Sequence, residues 1–427
     1  MRVATSAPSD EQAPVTRAAA RYLTLAVAAA GIASFALLYA PQPVLPRIAA
    51  AYRIDPGTAS LAVSVATAGL AIAVLPIATL SEIIGRRRVI ITSLVCSVLL
   101  GLAIPFAPNY PVLLVLRGLQ GAAIAGFPGV AAAFLVEKLG ARGVAGAVGA
   151  MVAGNTIGGM LGRLATGFTT DRFGWQAALG SSAVLSLACA SVALLALRAQ
   201  RRRSEPCHRV RSSGRGALIG IATALRQPLL LAQYGVALLG MGGFVALYNA
   251  AAFRLTAEPL NLSPAVASLV FLAYAMGAVS SSFAGRLVAA FGRVRSLVGA
   301  LMIMAAGSAL TLSTTLWLVV VGFVVLTGGF FAAHAVSSGW TAFAANPAGR
   351  AQASGLYTLG YYVGSSVGGT VGTMVYAAAG WGAVVGLVAA WLAVAGLGVL
   401  VVGRTEPSVT PTAPRRADPR RPAASRA

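Results

Sequence analysis

A chain of 427 residues in which 58% are apolar and only 10% charged cannot clothe a soluble globule of its size with polar groups. The apolar residues fall in repeated runs of roughly 18–25, each long enough to cross a hydrocarbon core of about 30 Å as a helix, with none of the ~10-residue alternation of a transmembrane barrel. The net charge of +22 raises nucleic acid as a partner, but the arginines sit in short clusters between apolar runs, with no soluble domain to present them, and read instead as topology signals.

The chain opens on a polar segment, 1–21, expected to be a disordered tail. The long apolar run after it lacks a small-residue cleavage site and is expected to stay as a first span. Spans are predicted at 22–41, 58–81, 89–107, 111–135, 144–168, 175–197, 229–250, 264–284, 296–313, 315–342, 353–378 and 381–403. They divide into a six-helix bundle over 22–197, a basic linker over 198–228 and a second six-helix bundle over 229–403. A Pro/Arg-rich tail, 404–427, is expected to be disordered. Placing both termini in the cytoplasm puts 26 of the 32 basic residues inside and four outside (Arg47, Arg53, Arg172, Arg254), with Arg117 and Arg163 inside spans. That asymmetry predicts the orientation in a bacterial inner membrane. Cys96, Cys189 and Cys207 have neither disulfide nor metal spacing.

The two bundles repeat one another. Phe35 and Tyr39 match Phe244 and Tyr248; Pro56, Ser60 and Leu61 match Pro264, Ser268 and Leu269; Gly85 and Arg86 match Gly292 and Arg293. Gly154, Gly158, Gly162 and Trp175 match Gly360, Gly364, Gly368 and Trp381. The offset falls from 209 to 206 along the chain, a consistent register that chance similarity between apolar sequences does not give.

Three polar motifs punctuate the spans. Ala78–Arg88 joins spans two and three, where Gly85 permits a tight turn, Arg86 and Arg87 hold it inside, and Glu82 is either a conformational latch or a solvated loop charge. Leu113–Gly121 places Arg117 and Gln120 about 9 Å into the bilayer, costly unless the arginine faces the bundle interior or snorkels to the interface. Gly154–Arg163 puts Gly154, Gly158 and Gly162 on one helix face, a surface for close helix packing, with Asn155 and Arg163 beside it. Gly121, Gly360, Gly364 and Gly368 belong to the same packing expectation.

These segments resemble the loop, span-four and antiporter motifs of the major facilitator superfamily. The departures are Ala78 and Ile83 in the loop, Ala289 for the acid in its second copy, and Gly159 and Arg163 in the antiporter motif. Gly154–Trp175, Ala332–His334, Trp340 and Tyr357–Gly369 further resemble the YnfM-type bacterial inner-membrane transport proteins. The resemblance covers residues 22–403. It implies an all-α membrane protein of two six-helix bundles related by a pseudo-two-fold axis along the membrane normal. It also implies drug:proton-antiporter-like solute transport, with Glu82 stabilising the state closed to the cytoplasm.

None of the ten acidic residues falls in the middle of a span, so an embedded carboxylate is missing as a proton carrier. What remains inside is Arg117, Gln120, Asn155, Arg163, His334, Tyr357, Tyr361 and Tyr362. His334 titrates most readily near neutral pH and is either the coupling proton's carrier or a hydrogen-bonded structural imidazole; the tyrosines line a pathway or pack between helices. The leading expectation is proton-coupled efflux of a small organic solute by alternating access. The alternative, from the two arginines without acids, is uptake or facilitated diffusion of an anion. An enzyme is disfavoured by the lack of a metal motif, paired carboxylates or G-x-S-x-G, an ATP-driven pump by the lack of a Walker loop, and a channel by the two-half symmetry. No metal or cofactor is expected, and the partners expected are a small-molecule substrate, protons and the lipid bilayer, around a monomer.

Overall fold

The computed structural model describes residues 17–201, 220–346 and 349–403; most of the expected N-terminal tail, all of the C-terminal one, most of the basic linker and Cys207 lie outside them. Among the described residues every regular element is helical: α1 Arg17–Leu38, α2 Leu45–Tyr52, α3 Pro56–Ile84, α4 Arg86–Ala103, α5 Tyr110–Ile124, α6 Ala131–Arg201, α7 Pro228–Thr256, α8 Pro264–Ser268, α9 Ala275–Phe291, α10 Arg293–Leu310, α11 Leu316–Ala344 and α12 Arg350–Gly403. Nine helical stretches there are long and apolar enough to span a membrane. Two of them break at Gly174 and Gly380 into two spans each, and the shorter apolar α5 brings the total to twelve. Large apolar side chains such as Ile72, Leu99 and Phe106 stand on the outer surface, where a bilayer takes the place of water.

Glycine marks the turns between spans. Gly85 and Gly292 have φ of 99° and 77°, Gly174 and Gly380 77° and 75°, a region that side chains with a Cβ rarely enter. Each pair occupies matching positions of the repeat, so both halves turn at the same places. The opposite helix ends match too. Asp55 and Ser263 each cap a helix that starts on proline, accepting from the N–H of Thr58 at 2.9 Å and Val266 at 3.3 Å. The Thr58 hydroxyl and N–H hold the Asp55 carboxyl below its usual range. We refer to the two ends of the molecule as the Asp55 end and the Gly85 end.

Within each half, two spans cross on glycine. A Cβ added at Gly154, Gly158 or Gly162 would lie 3.0, 2.5 and 2.6 Å from the Cα atoms of Ala28, Ile32 and Ala36 on α1. In the second half Gly364 and Gly368 abut Leu238 and Gly242 of α7 in the same way, while Gly360 is looser, 3.3 Å from the Tyr234 carbonyl oxygen. Gly121 of α5 is equally tight against Ala66 of α3. The glycine contacts pair Ile32 with Leu238 and Ala36 with Gly242. Residues on α1 and α7 are therefore related by 206 positions, and the Phe35–Tyr39 match to Phe244–Tyr248 lies three residues out of packing register.

Four details depart from the expected spans. Helix α1 begins at Arg17, ahead of 22. The loop expected after 41 is a 3-10 turn, Gln42–Val44, followed by α2, because Val44, Leu45 and Ile48 have apolar side chains to bury and are 0% exposed. The fourth span is interrupted between α5 and α6, where Gly126, Pro128 and Gly129 replace a continuous helix by turns. In the eighth span α8 tightens into a 3-10 segment, Leu269–Tyr274, before α9.

Candidate functional site

The halves meet through polar groups near the Asp55 end, and Arg163 is at the centre. It is 1% exposed and donates through Nε to the Gln42 side-chain oxygen, through Nη1 to the Gly159 carbonyl at 2.7 Å and through Nη2 to the Tyr274 hydroxyl of the other half at 3.0 Å. Its guanidinium lies over the rings of Tyr39, Phe271 and Tyr274, at 4.6, 5.0 and 4.4 Å from their centroids. The 3-10 segment supplies the last two: three residues make one turn there, so side chains at i and i+3 eclipse and both rings face the cation.

From Arg163 the network crosses the interface. Gln42 Nε2 donates to Asn249 Oδ1 at 2.7 Å, both side chains fully buried, and the hydroxyls of Tyr39 and Ser365 share a hydrogen bond of 3.2 Å. Ser366 and Thr370 donate to the Ser64 carbonyl and hydroxyl at 2.8 and 2.7 Å, and Asp171 accepts from the Ala265 N–H at 3.2 Å. Together with Arg163–Tyr274, these hydrogen bonds tie the halves together toward the Asp55 end.

Arg117 is a different case. It donates to the carbonyls of Ala62 at 2.7 Å, Leu37 at 3.0 Å and Leu38, and to Gln120, whose amide in turn donates to the Ser97 carbonyl at 3.1 Å. Every partner belongs to the first bundle, and two are carbonyls in the last turn of α1, where Leu37 has only a long 3.4 Å bond from the Ala40 N–H besides. Neither snorkelling nor the interface between halves accounts for its position. Arg117 sits beside residues 37–38 and Arg163 beside Tyr39 and Gln42, so the two guanidiniums flank the same stretch of chain.

His334 lies in the second bundle. The Tyr357 hydroxyl hydrogen-bonds its Nδ1 at 3.0 Å, and the imidazole packs on Phe330 and Tyr361, with ring centroids 6.2 and 4.9 Å away. These groups line a small cavity walled otherwise by apolar residues of α7, α10 and α11. Tyr362 is buried, edge-on to Tyr361. Asn155 stands apart from Arg163, two helical turns along α6. Its buried Oδ1 is without a hydrogen-bond partner among the described residues, and it fills the space left by Gly31 of α1. No three His, Cys, Asp or Glu side chains gather among the described residues in a way that would hold a metal.

The Major Facilitator Superfamily model matches residues 27–257 and 235–426, two overlapping stretches that cover nearly the whole chain. The chain belongs to the Major Facilitator Superfamily. The uncharacterized MFS-type transporter YybF of Bacillus subtilis (strain 168) is 35% identical over 375 residues, 88% of this chain and 92% of that one. The inner membrane transport protein YnfM of Escherichia coli (strain K12) is 36% identical over 376 residues, 87% and 88% of the two chains. The fold is shared with a bacterial homolog of the human lysosomal transporter Spinster in an inward-facing, occupied conformation, with TM-score 0.74 and 17% identity over 92% of this chain and 98% of that one. It is shared also with a mutant of the nucleoside transporter NupG, TM-score 0.69 and 14% identity over 89% and 99%. The protein is thus a multi-pass membrane transporter and not an enzyme.

In this superfamily member the loop after α3 is held by its own bundle. Arg86 pairs with Glu137 and donates to the Ala133 carbonyl, at 3.1 and 3.2 Å, and Arg87 donates to the Leu197 carbonyl at 3.3 Å, while Glu82 is exposed. Reading the sequence alone missed Gln42, Asn249, Tyr274, Ser64 and Ser365. The repeat held a signal for two of them: Gln42 and Asn249 are amides 207 residues apart, within the 206–209 range of the repeat offsets.

Proposed function

We propose that the chain is a secondary active transporter that moves a small organic solute by alternating access, exporting it in exchange for protons. Its resting state is closed at the Asp55 end. The observation that carries this is the one-sided distribution of the hydrogen bonds between halves, from Arg163–Tyr274 to Ser64–Thr370. Rigid bundles joined at one end by breakable polar contacts are built to rock. The basic clusters favour a cytoplasmic Gly85 end and cytoplasmic termini. Glu82 engages the second bundle when that end shuts. The His334–Tyr357 pair is the group suited to carry a coupled proton, because the imidazole is the one side chain in the spans that ordinarily titrates near neutral pH. The transporter works as a monomer, each chain holding both halves of its pathway.

The test is solute-driven proton movement in proteoliposomes, followed by an internal pH dye, for the native chain and His334→Gln. Solute flux that ignores an imposed pH gradient refutes proton coupling. One observation favours a second reading, movement of an anion: Arg163, buried at the interface, has no acidic partner among the described residues. Flux independent of pH but driven by an anion gradient would select it.

A further inference from the structure

The two buried arginines of the first bundle differ in what happens to their partners when the halves separate. Arg117 keeps its acceptors, all of which move with it. Arg163 loses Tyr274 outright, and Gln42 loses Asn249. A guanidinium carries five N–H donors. Three of those on Arg163 have acceptors here, and the rest of the group is walled by the rings of Tyr39, Phe271 and Tyr274.

Across the interface a second donor is short of an acceptor. Asn249 is 0% exposed, and its Nδ2 has no hydrogen-bond partner among the described residues. The repeat explains the imbalance. The counterpart of Arg163 is Gly369, and a Cβ added there would lie 2.6 Å from Asn249 Nδ2. In the first bundle a side chain from that position reaches the amide of Gln42; in the second bundle no side chain exists to reach the amide of Asn249, which lies one residue beyond strict register.

We infer that Arg163 and Asn249 form a receptor for the carboxylate of an organic anion with an apolar body. Arg163 contributes the charge and the planar fork that matches a carboxylate, Asn249 Nδ2 a further donor, and the three rings an apolar wall. The hydroxyl of Tyr274 occupies a donor of the fork while the Asp55 end is shut, so the anion and the closed interface exclude one another. The step is reversible and holds for uptake or release. This inference rests on the alternating-access reading, and not on proton coupling.

The test uses the purified full-length chain with benzoate as probe, benzamide as its neutral counterpart, and calorimetry as readout. Benzoate is expected to bind, and benzamide about tenfold or more weakly. Asn249→Asp keeps an acceptor for Gln42 and the side-chain shape while placing a carboxylate beside the cation; it should weaken benzoate by about tenfold or more, as should Arg163→Gln. A Ser64→Cys/Thr370→Cys pair replaces hydroxyls 2.7 Å apart, in a background with Cys96, Cys189 and Cys207 changed to serine. Oxidised, it should hold the interface shut and abolish benzoate binding, with recovery on reduction. Failure of benzoate to bind the native chain, or undiminished binding in Asn249→Asp or in the oxidised pair, overturns the receptor. Solute flux that survives oxidation of the pair overturns alternating access itself; flux that stops while benzoate never binds leaves that reading standing and removes the receptor alone.

Discussion

Gly158→Ala places a methyl group where α1 and α6 touch backbone to backbone. Its carbon would sit 2.5 Å from the Ile32 Cα and 2.8 Å from the Ile32 carbonyl carbon. Carbon atoms pack at about 3.5 Å, so the helices must part by about 1 Å over a turn in which no side chain can rotate away. Overpacking of this kind costs about 1–3 kcal/mol, set against about 0.5–1 kcal/mol gained from alanine's helix propensity, for a net loss of up to about 2.5 kcal/mol. Two glycines calibrate the effect. Gly235 on α7 has open space around its missing Cβ, so Gly235→Ala should show only the gain, whereas Gly360→Ala, 3.3 Å from the Tyr234 carbonyl oxygen, should fall between. Thermal midpoints of the three variants in detergent should therefore rank 235 above 360 above 158. A Gly158→Ala protein as stable as Gly235→Ala would refute the crossing as a site of close contact.

Arg117→Lys keeps the charge but strands carbonyls among Leu37, Leu38 and Ala62; each unmet buried group costs about 1–3 kcal/mol, so the thermal midpoint should fall while flux per folded molecule holds. Equal loss of both would make Arg117 part of the pathway. Glu82→Gln should raise the population open at the Gly85 end, read as faster labelling of cysteines placed there; unchanged labelling removes the latch. Cys207 should react with impermeant thiol reagents only from the cytoplasmic side, and labelling from outside would invert the topology. Asp55→Ala removes a helix cap worth about 0.5–2 kcal/mol at neutral pH. Because the folded Asp55 has a lowered pKa, the native advantage is present above the usual carboxylate range and should vanish as pH falls through that lowered value; a pH-independent difference would exclude the cap.

Most of the scaffold was legible because a bilayer imposes long apolar helices and because duplication repeats its punctuation. Gly85 and Gly292, or Gly174 and Gly380, are visible in the sequence as matched glycines and in the fold as matched turns. The register of α1 against α7 was not, since Phe35–Tyr39 and Phe244–Tyr248 resemble each other at a displacement that packing does not use. The interface network was hidden for two reasons. Gln42 lies just past the apolar run that ends at 41, where solvent exposure is the natural expectation, yet its side chain is fully buried. Tyr274 sits in an apolar stretch whose switch to 3-10 geometry, which aims it at Arg163, has no signature in composition. Arg163 itself stood out as a charge inside a span, but its partners come from 121 residues before it and 111 after it.

An arginine buried without an acid also answers to electrical force. Moving one elementary charge through the whole of a membrane potential changes its free energy by about 2.3 kcal/mol per 100 mV. If the two halves separate as proposed, whatever fraction of the field the surroundings of Arg163 traverse is added to the balance between the two orientations. Among the described residues no acidic side chain pairs with it. On that proposal the voltage across the membrane acts on this chain's resting orientation before any solute arrives, and an energised cell and a depolarised one would hold it at different settings.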